Sequence, residues 1–215
     1  MIIAIDGPAG SGKTTTARKV AECLGIIHIN TGAMYRGIAL KIIRANIDLG
    51  NMQAIKQLLD ETVLNFRGAN ESELYMDGTN ISEEISSSVV TENVSCISAI
   101  PEIRNKLVEY QQRMANGNNV VLEGRDIGTI VFPDADYKFY LVADIHVRAE
   151  RRKKEMEMAG DYISIEDIIA DLNARDQKDI TRLHSPLLKA EDAIELDTTN
   201  LSIDEQVNYI IDTIN

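Results

Sequence analysis

"IIAIDGPAGSGKTT", residues 2–15, joins a short apolar run to a glycine-rich turn that ends in Lys13-Thr14. The run 2–5 has the length and β-branched content of a buried strand. Behind it, Gly7, Pro8, Ala9, Gly10, Ser11, Gly12, Lys13 and Thr14 fit the phosphate-loop spacing G-x-x-x-x-G-K-[ST]. Glycines let backbone N–H groups turn inward and approach phosphate oxygens closely. The helix that follows aims its positive end at the same anion. Lys13 is placed to bridge β- and γ-phosphates, and the Thr14 hydroxyl to ligate Mg²⁺. With Thr15, these residues form the expected ATP phosphate site. A helix is expected from Lys13 to Leu24, with Gly25 as its stop.

Outward from this unit, four more short apolar runs read as strands: 26–29, 119–123, 138–143 and 193–196. Amphipathic stretches at 33–45, 52–62, 101–115, 146–158, 164–175 and 203–214 read as helices. This alternation predicts an α/β fold, a five-stranded parallel sheet flanked by helices. "VLNFRG" and "ELYMDGTNI", within 63–81, break the pattern. Turns at "GANES" (68–72) and "DGTN" (77–80) predict a small antiparallel insertion there.

A chain of 215 residues fits one domain, 1–215, with a substantial core. Its net charge of −12 speaks against nucleic acid or a membrane surface as partner. Anionic ligands therefore require positive charge gathered in a cleft. Cys23 and Cys96 have no metal-ligand spacing and read as reduced thiols. "MIIAID" is too short for a signal peptide or a span, so a cytoplasmic location is expected.

Several phosphate-loop classes are not matched. No aspartate stands three residues before a glycine, Asn105-Lys106 lacks the aspartate of a GTPase N-K-x-D, and there is no Gly-Gly pair for a transporter signature. A small kinase of a phosphorylated or hydroxylated metabolite remains. Arginines supply the second anion site. "NTGAMYRG" (30–37) opens a helix after a strand and carries Arg36, while Arg125 and Asp126 follow the strand 119–123, where ligands of doubly wound sheets bind. "RDQKDITR" (175–182) sets Arg175, Asp179 and Arg182 at i, i+4 and i+7 on one helical face. That face is either a surface ion-pair ladder or a ligand-gripping one. Arginine's planar fork suits phosphate.

The segments "IDGPAGSGKTT", "TGAMYRG", "SAIPEIR" (98–104), "EGRDIGTIVFPDA" (123–135) and "ARDQKDITRLHSPL" (174–187) resemble those of bacterial cytidylate kinases over essentially the whole chain. The resemblance implies MgATP-dependent phosphorylation of CMP, and of dCMP, with Mg²⁺ as cofactor; a monomer is expected. It implies a nucleotide-binding insertion around 62–86. Arg36, Arg125, Arg175 and Arg182 would surround the CMP phosphate beside Thr31, Asp179 would accept from the ribose, and Ser95, Arg104 and Asp126 would read cytosine. Lys13, Arg125 and Arg151 are the expected catalytic cations. Arg151 lies with Arg148 and Arg152 at the start of a lid expected at 148–164, or on a solvated basic helix face. Asn30 departs from the family's usual aspartate and removes a charge from the metal shell, which Asp6 or Asp126 is available to replace. UMP or AMP as acceptor, or an ATP-sensing protein without transfer, stay open as alternatives.

Overall fold

The computed structural model describes residues 1–67, 73–158 and 160–214. Five parallel strands form the main sheet: β1 (Ile2–Asp6), β2 (Ile27–Asn30), β6 (Val120–Gly124), β7 (Tyr137–Val142) and β8 (Ile194–Asp197), in the order β2-β6-β1-β7-β8. The expected sheet is thus present, with its later strands displaced by about one residue from the apolar runs. β1 shows why those runs are continuous rather than alternating. Ala4 packs with Ile29 and Leu122 on one face, while Ile3 and Ile5 pack with Val121, Phe139 and Leu141 on the other. Both faces are covered, so no position can be polar without a partner.

Helices α2 (Thr31–Arg44), α3 (Met52–Asp60), α4 (Ser88–Ile97) and α5 (Pro101–Ala115) cover the first face. Helices α1 (Lys13–Leu24) and α8 (Ile203–Ile214) cover the second. α6 (Ile145–Met158) and α7 (Ile165–Thr181) pair over a small cluster of their own, Ala149, Ile168 and Leu172, which also receives Ala9 of the glycine-rich turn. Among the described residues no helix is long and apolar enough to cross a membrane.

Three elements differ from expectation. α2 starts at Thr31 because the Asn30 side chain accepts from Ala33 N at 2.9 Å and caps it. α4 escapes pattern reading because "SVVTENVSCI" is rich in serine and β-branched residues of modest helix propensity. Burial of Val90 and Ile97 overrides that preference. α7 runs to Thr181 rather than 175, so "RDQKDIT" is helix and Arg182 its C-cap.

The antiparallel insertion is β3 (Leu64–Arg67), β4 (Glu73–Met76) and β5 (Thr79–Asn80). The turn expected at 68–72 lies outside the described residues. Leu64, Leu74 and Met76 extend the core of the first face. Asp77 closes the base of this hairpin: Val63 N donates to its carboxylate at 2.8 Å, its own N–H donates to Val63 O at 2.9 Å, and Lys41 donates at 2.6 Å.

Every main strand ends at the same edge, where β1 runs into the glycine-rich turn. Gly7 has φ 145°, and a Cβ there would sit 2.1 Å from the Leu141 carbonyl oxygen. The loop therefore departs in contact with the β7 backbone, which only glycine permits. Gly7→Ala is expected to cost about 1–3 kcal/mol by overpacking, lowering the thermal midpoint by roughly 2–12 °C for a chain of this size. Thermal denaturation followed by circular dichroism checks it, and an unchanged midpoint would show that the loop yields freely.

Candidate active site

The loop from Gly7 to Thr14 curls over the end of β1 and into α1. The Lys13 side chain lies across it, donating to Pro8 O at 2.7 Å. Burial first, and then the neighbouring Arg125 charge, lower its pKa from 10.5 to about 7. Contacts from the far side of the sheet fix the loop's shape. Thr16 donates to Gln206 at 2.7 Å, and the Thr198 hydroxyl donates to Ser11 O at 3.0 Å. Arg151 spans Thr198, donating to its carbonyl at 2.7 Å and to its hydroxyl at 3.1 Å, beside Gly12.

Asp6, the last residue of β1, builds the second half of the site. Its carboxylate accepts from Ile127 N at 2.9 Å and Gly128 N at 2.8 Å, pinning the broad turn that follows β6. Burial outweighs these bonds and raises its pKa from 3.8 to about 6. The pinned turn presents Arg125 and Asp126. Arg125 bonds Asp179 of α7 at 2.8 Å. Burial opposes its charge, but Asp179 more than compensates and pushes the pKa up. Asp126 is ion-paired with Arg104 of α5, and its other oxygen lies 3.8 Å from Arg182. Arg104 also donates to Ser98 O at 3.0 Å and lies 5.1 Å over the Tyr35 ring. Its Nε is buried and has no partner.

Between the loop and this second half lies one cleft of about 460 Å³. Lys13, Thr14, Thr15, Thr31, Arg36, Ser95, Arg104, Arg125, Asp126, Arg151, Arg175, Asp179 and Arg182 all border it, with Gly10 and Gly12. Gly7, Pro8 and Ser11 do not; they shape the loop from beneath. The "RDQKDITR" charges are therefore not a surface ladder alone, although Arg175 keeps a partner on its own helix, Asp171 at 3.2 Å. Thr31 spends its hydroxyl on Glu123 O at 2.7 Å. Arg36 is held below its usual pKa by burial, and its Nε has no partner. A second, more open hollow of about 780 Å³ at the other end of the sheet mixes Glu109, Arg113 and Asp136.

Among the described residues no cluster of three His, Cys, Asp or Glu is arranged to hold a metal ion. A cation here would arrive with phosphates and keep most of its waters, as Mg²⁺ does. The exposed Thr14 side chain at the start of α1 suits direct ligation. Of the acids considered to offset Asn30, Asp6 is committed to two backbone N–H groups and Asp126 to two arginines. Glu123 was missed and fits better: it lines the cleft, is 5 % exposed, and its Oε1 has no partner. An acid inside an otherwise apolar strand run was the available signal.

A parallel sheet, a phosphate loop at its central strand and an arginine-lined cleft beside it define a P-loop kinase of a phosphorylated acceptor. The chain belongs to the cytidylate kinase family, whose family model, described as Cytidylate kinase, matches residues 3–215. It is 46% identical over 214 residues to the cytidylate kinase of Cytophaga hutchinsonii, covering 98% of this chain and 92% of that one. It is 46% identical over 215 residues to the cytidylate kinase of Lactobacillus johnsonii, covering 100% of this chain and 94% of that one. A crystal structure of an uncharacterized protein from Eubacterium ventriosum shares the fold, with TM-score 0.51 at 16% identity, covering 100% of this chain and 98% of that one.

The depressed pKa of Lys13 has a measurable consequence. Above about pH 7 the empty site holds a neutral amine, whereas a polyphosphate favours the ammonium form. ATP binding at pH 8 is thus expected to take up close to one proton, and affinity to weaken as pH rises. Titration calorimetry in buffers of different ionisation enthalpy measures the uptake; equal heats in all buffers would show that Lys13 keeps the same protonation state free and bound.

Proposed function

We propose that this protein transfers the γ-phosphoryl group of ATP to CMP or dCMP, giving ADP and CDP or dCDP, in the cytoplasm and as a monomer. The observation that carries this reading is that the phosphate loop and the Arg104–Asp126 pair open onto one cleft, with arginines between them.

Cytosine offers a 4-amino donor beside the N3 and O2 acceptors. Asp126 accepts from the amino group with Ser95, and the unpartnered Nε of Arg104 is a donor available to N3 or O2. Uracil would set a carbonyl against the carboxylate and an N–H against the guanidinium. Each buried polar group left unpaired costs about 1–3 kcal/mol, so the site rejects UMP. Asp179 turns to the ribose once a phosphate replaces it at Arg125.

The acceptor phosphate is held by Arg36, Arg125, Arg175 and Arg182 near Thr31. It is already ionised, so it attacks in line without a general base, and the protein's work is positioning and charge neutralisation. Lys13 and Arg125 face the transferring group. Arg151, bonded to Thr198 beside Gly12, is a cation at the donor end. Thr14, with Glu123 through water, would hold Mg²⁺, which would supply charge neutralisation to the transferring phosphate. The part of α6 from Arg151 onward, which borders the cleft with Arg152, closes as a lid that excludes water, while Arg148, the first arginine of the expected lid, is buried and stays outside it.

Product analysis with ATP and CMP, dCMP, UMP or AMP tests the reading. Turnover is expected with CMP and dCMP, and dominant turnover of UMP or AMP would overturn the base assignment. Asp126→Asn is expected to reduce kcat/KM for CMP by roughly 10–100-fold and to narrow the CMP-to-UMP ratio. Arg36→Ala is expected to raise the CMP KM far more than the ATP KM in steady-state kinetics; equal effects would remove Arg36 from the acceptor site.

A further inference from the structure

The first arginine of the expected lid does not face the cleft. Arg148 is buried, 7 % exposed, and a single guanidinium nitrogen serves two partners: Ala9 O of the phosphate loop at 3.1 Å and Asp176 Oδ2 of α7 at 2.6 Å. Asp176 is 8 % exposed. It adjoins Arg175 in sequence and precedes Asp179 by three residues, so it shares a helix with the acceptor-facing groups. Contact with the loop is close on the other side too. A Cβ on Gly10 would lie 3.1 Å from both the Cβ and the carbonyl oxygen of Arg148, and Ala9 packs into the α6–α7 cluster.

Stability alone is a poor reason for this arrangement. Arg148 Nε and Asp176 Oδ1 are buried without partners, and a buried ion pair often adds nothing over apolar residues of the same volume. What the pair does provide is a fixed separation: one nitrogen bonded both to the donor loop and to the acceptor helix. In-line transfer depends on that separation, because an error of about 1 Å can cost on the order of 100-fold in rate.

We propose that Arg148 and Asp176 are positioning residues that hold the ATP phosphate loop in register with the acceptor helix α7, so that the γ-phosphoryl group passes to the acceptor phosphate rather than to water. This rests on the function proposed above. The bond from the γ-phosphorus to the bridging oxygen of ATP breaks in either case. In register, the bond that forms is to the acceptor phosphate oxygen; out of register it is to a water oxygen, whose proton is released to solvent.

The test follows CDP and free phosphate separately for wild type, Arg148→Met, Asp176→Asn, the double variant and Arg148→Lys. Wild type without CDP formation would end the functional reading itself, independently of the variants. With wild type active, Arg148→Met is expected to lower kcat by about tenfold or more while both KM values move less than about threefold. The share of ATP ending as free phosphate is expected to rise. Asp176→Asn moves in the same direction, the double variant is no worse than the poorer single one, and Arg148→Lys recovers part of the partition. A kcat that falls only with the folded fraction, at constant CDP-to-phosphate ratio, would overturn the proposal, as would a rise confined to one KM. If Arg148→Met does not fold, Asp176→Asn and Arg148→Lys decide the matter by the same ratio.

Discussion

Among the described residues, eight cationic side chains border one cleft of a protein whose net charge is −12, and their mutual repulsion is the constraint around which the site is arranged. Four carboxylates share that cleft: Glu123, Asp126, Glu155 and Asp179. Asp126 lies between Arg104 and Arg182, and Asp179 between Arg125 and Arg182. Arg182 shows what crowding costs, being held below its usual pKa by burial and by Arg104. These acids act as internal counterions. Under the proposed function an incoming phosphate takes over that duty, and the released carboxylates are left facing the sugar and base.

Such an exchange works only if the groups stand still while partners change, and the parallel sheet supplies the stillness. β1 holds both halves of the site: its last residue, Asp6, anchors the turn carrying Arg125 and Asp126, and the next residue starts the phosphate loop. Asp6 is buried and committed to backbone, so its carboxylate is a structural part. Asn30 plays a comparable double part at the end of β2, capping α2 while lining the cleft.

The legible parts of the sequence were those whose physics is local. Continuous apolar runs between helical periods encode a two-sided parallel sheet, and the spacing from Gly7 to Thr14 encodes a loop whose backbone must turn inward. α4 was not legible, because its serines and β-branched residues form a helix only where Val90 and Ile97 find α2. The length of α7 was hidden for a related reason: "RDQKDIT" is charged on nearly every face, and what continues the helix is a buried ion pair to α6. Arg148 carries the same lesson. Side by side with Arg151 and Arg152 it reads as one of three equivalent cations, and only packing separates the one beneath the phosphate loop from the two bordering the cleft. The convergence of Arg104, from α5, with Asp126 and Arg182 is set by tertiary contacts, and family resemblance rather than periodicity pointed to it.

The hairpin base at Asp77 closes the small sheet on itself where it leaves the main core. Val63 and Asp77 bond each other, so the chain leaves α3 and returns toward α4 through one closed gate, with the pairs Leu64–Met76 to Arg67–Glu73 stacked above it. Load applied to the small sheet is therefore taken up first at Val63 and Asp77 and passes through Lys41 into α2, rather than into the strands that carry the phosphate loop.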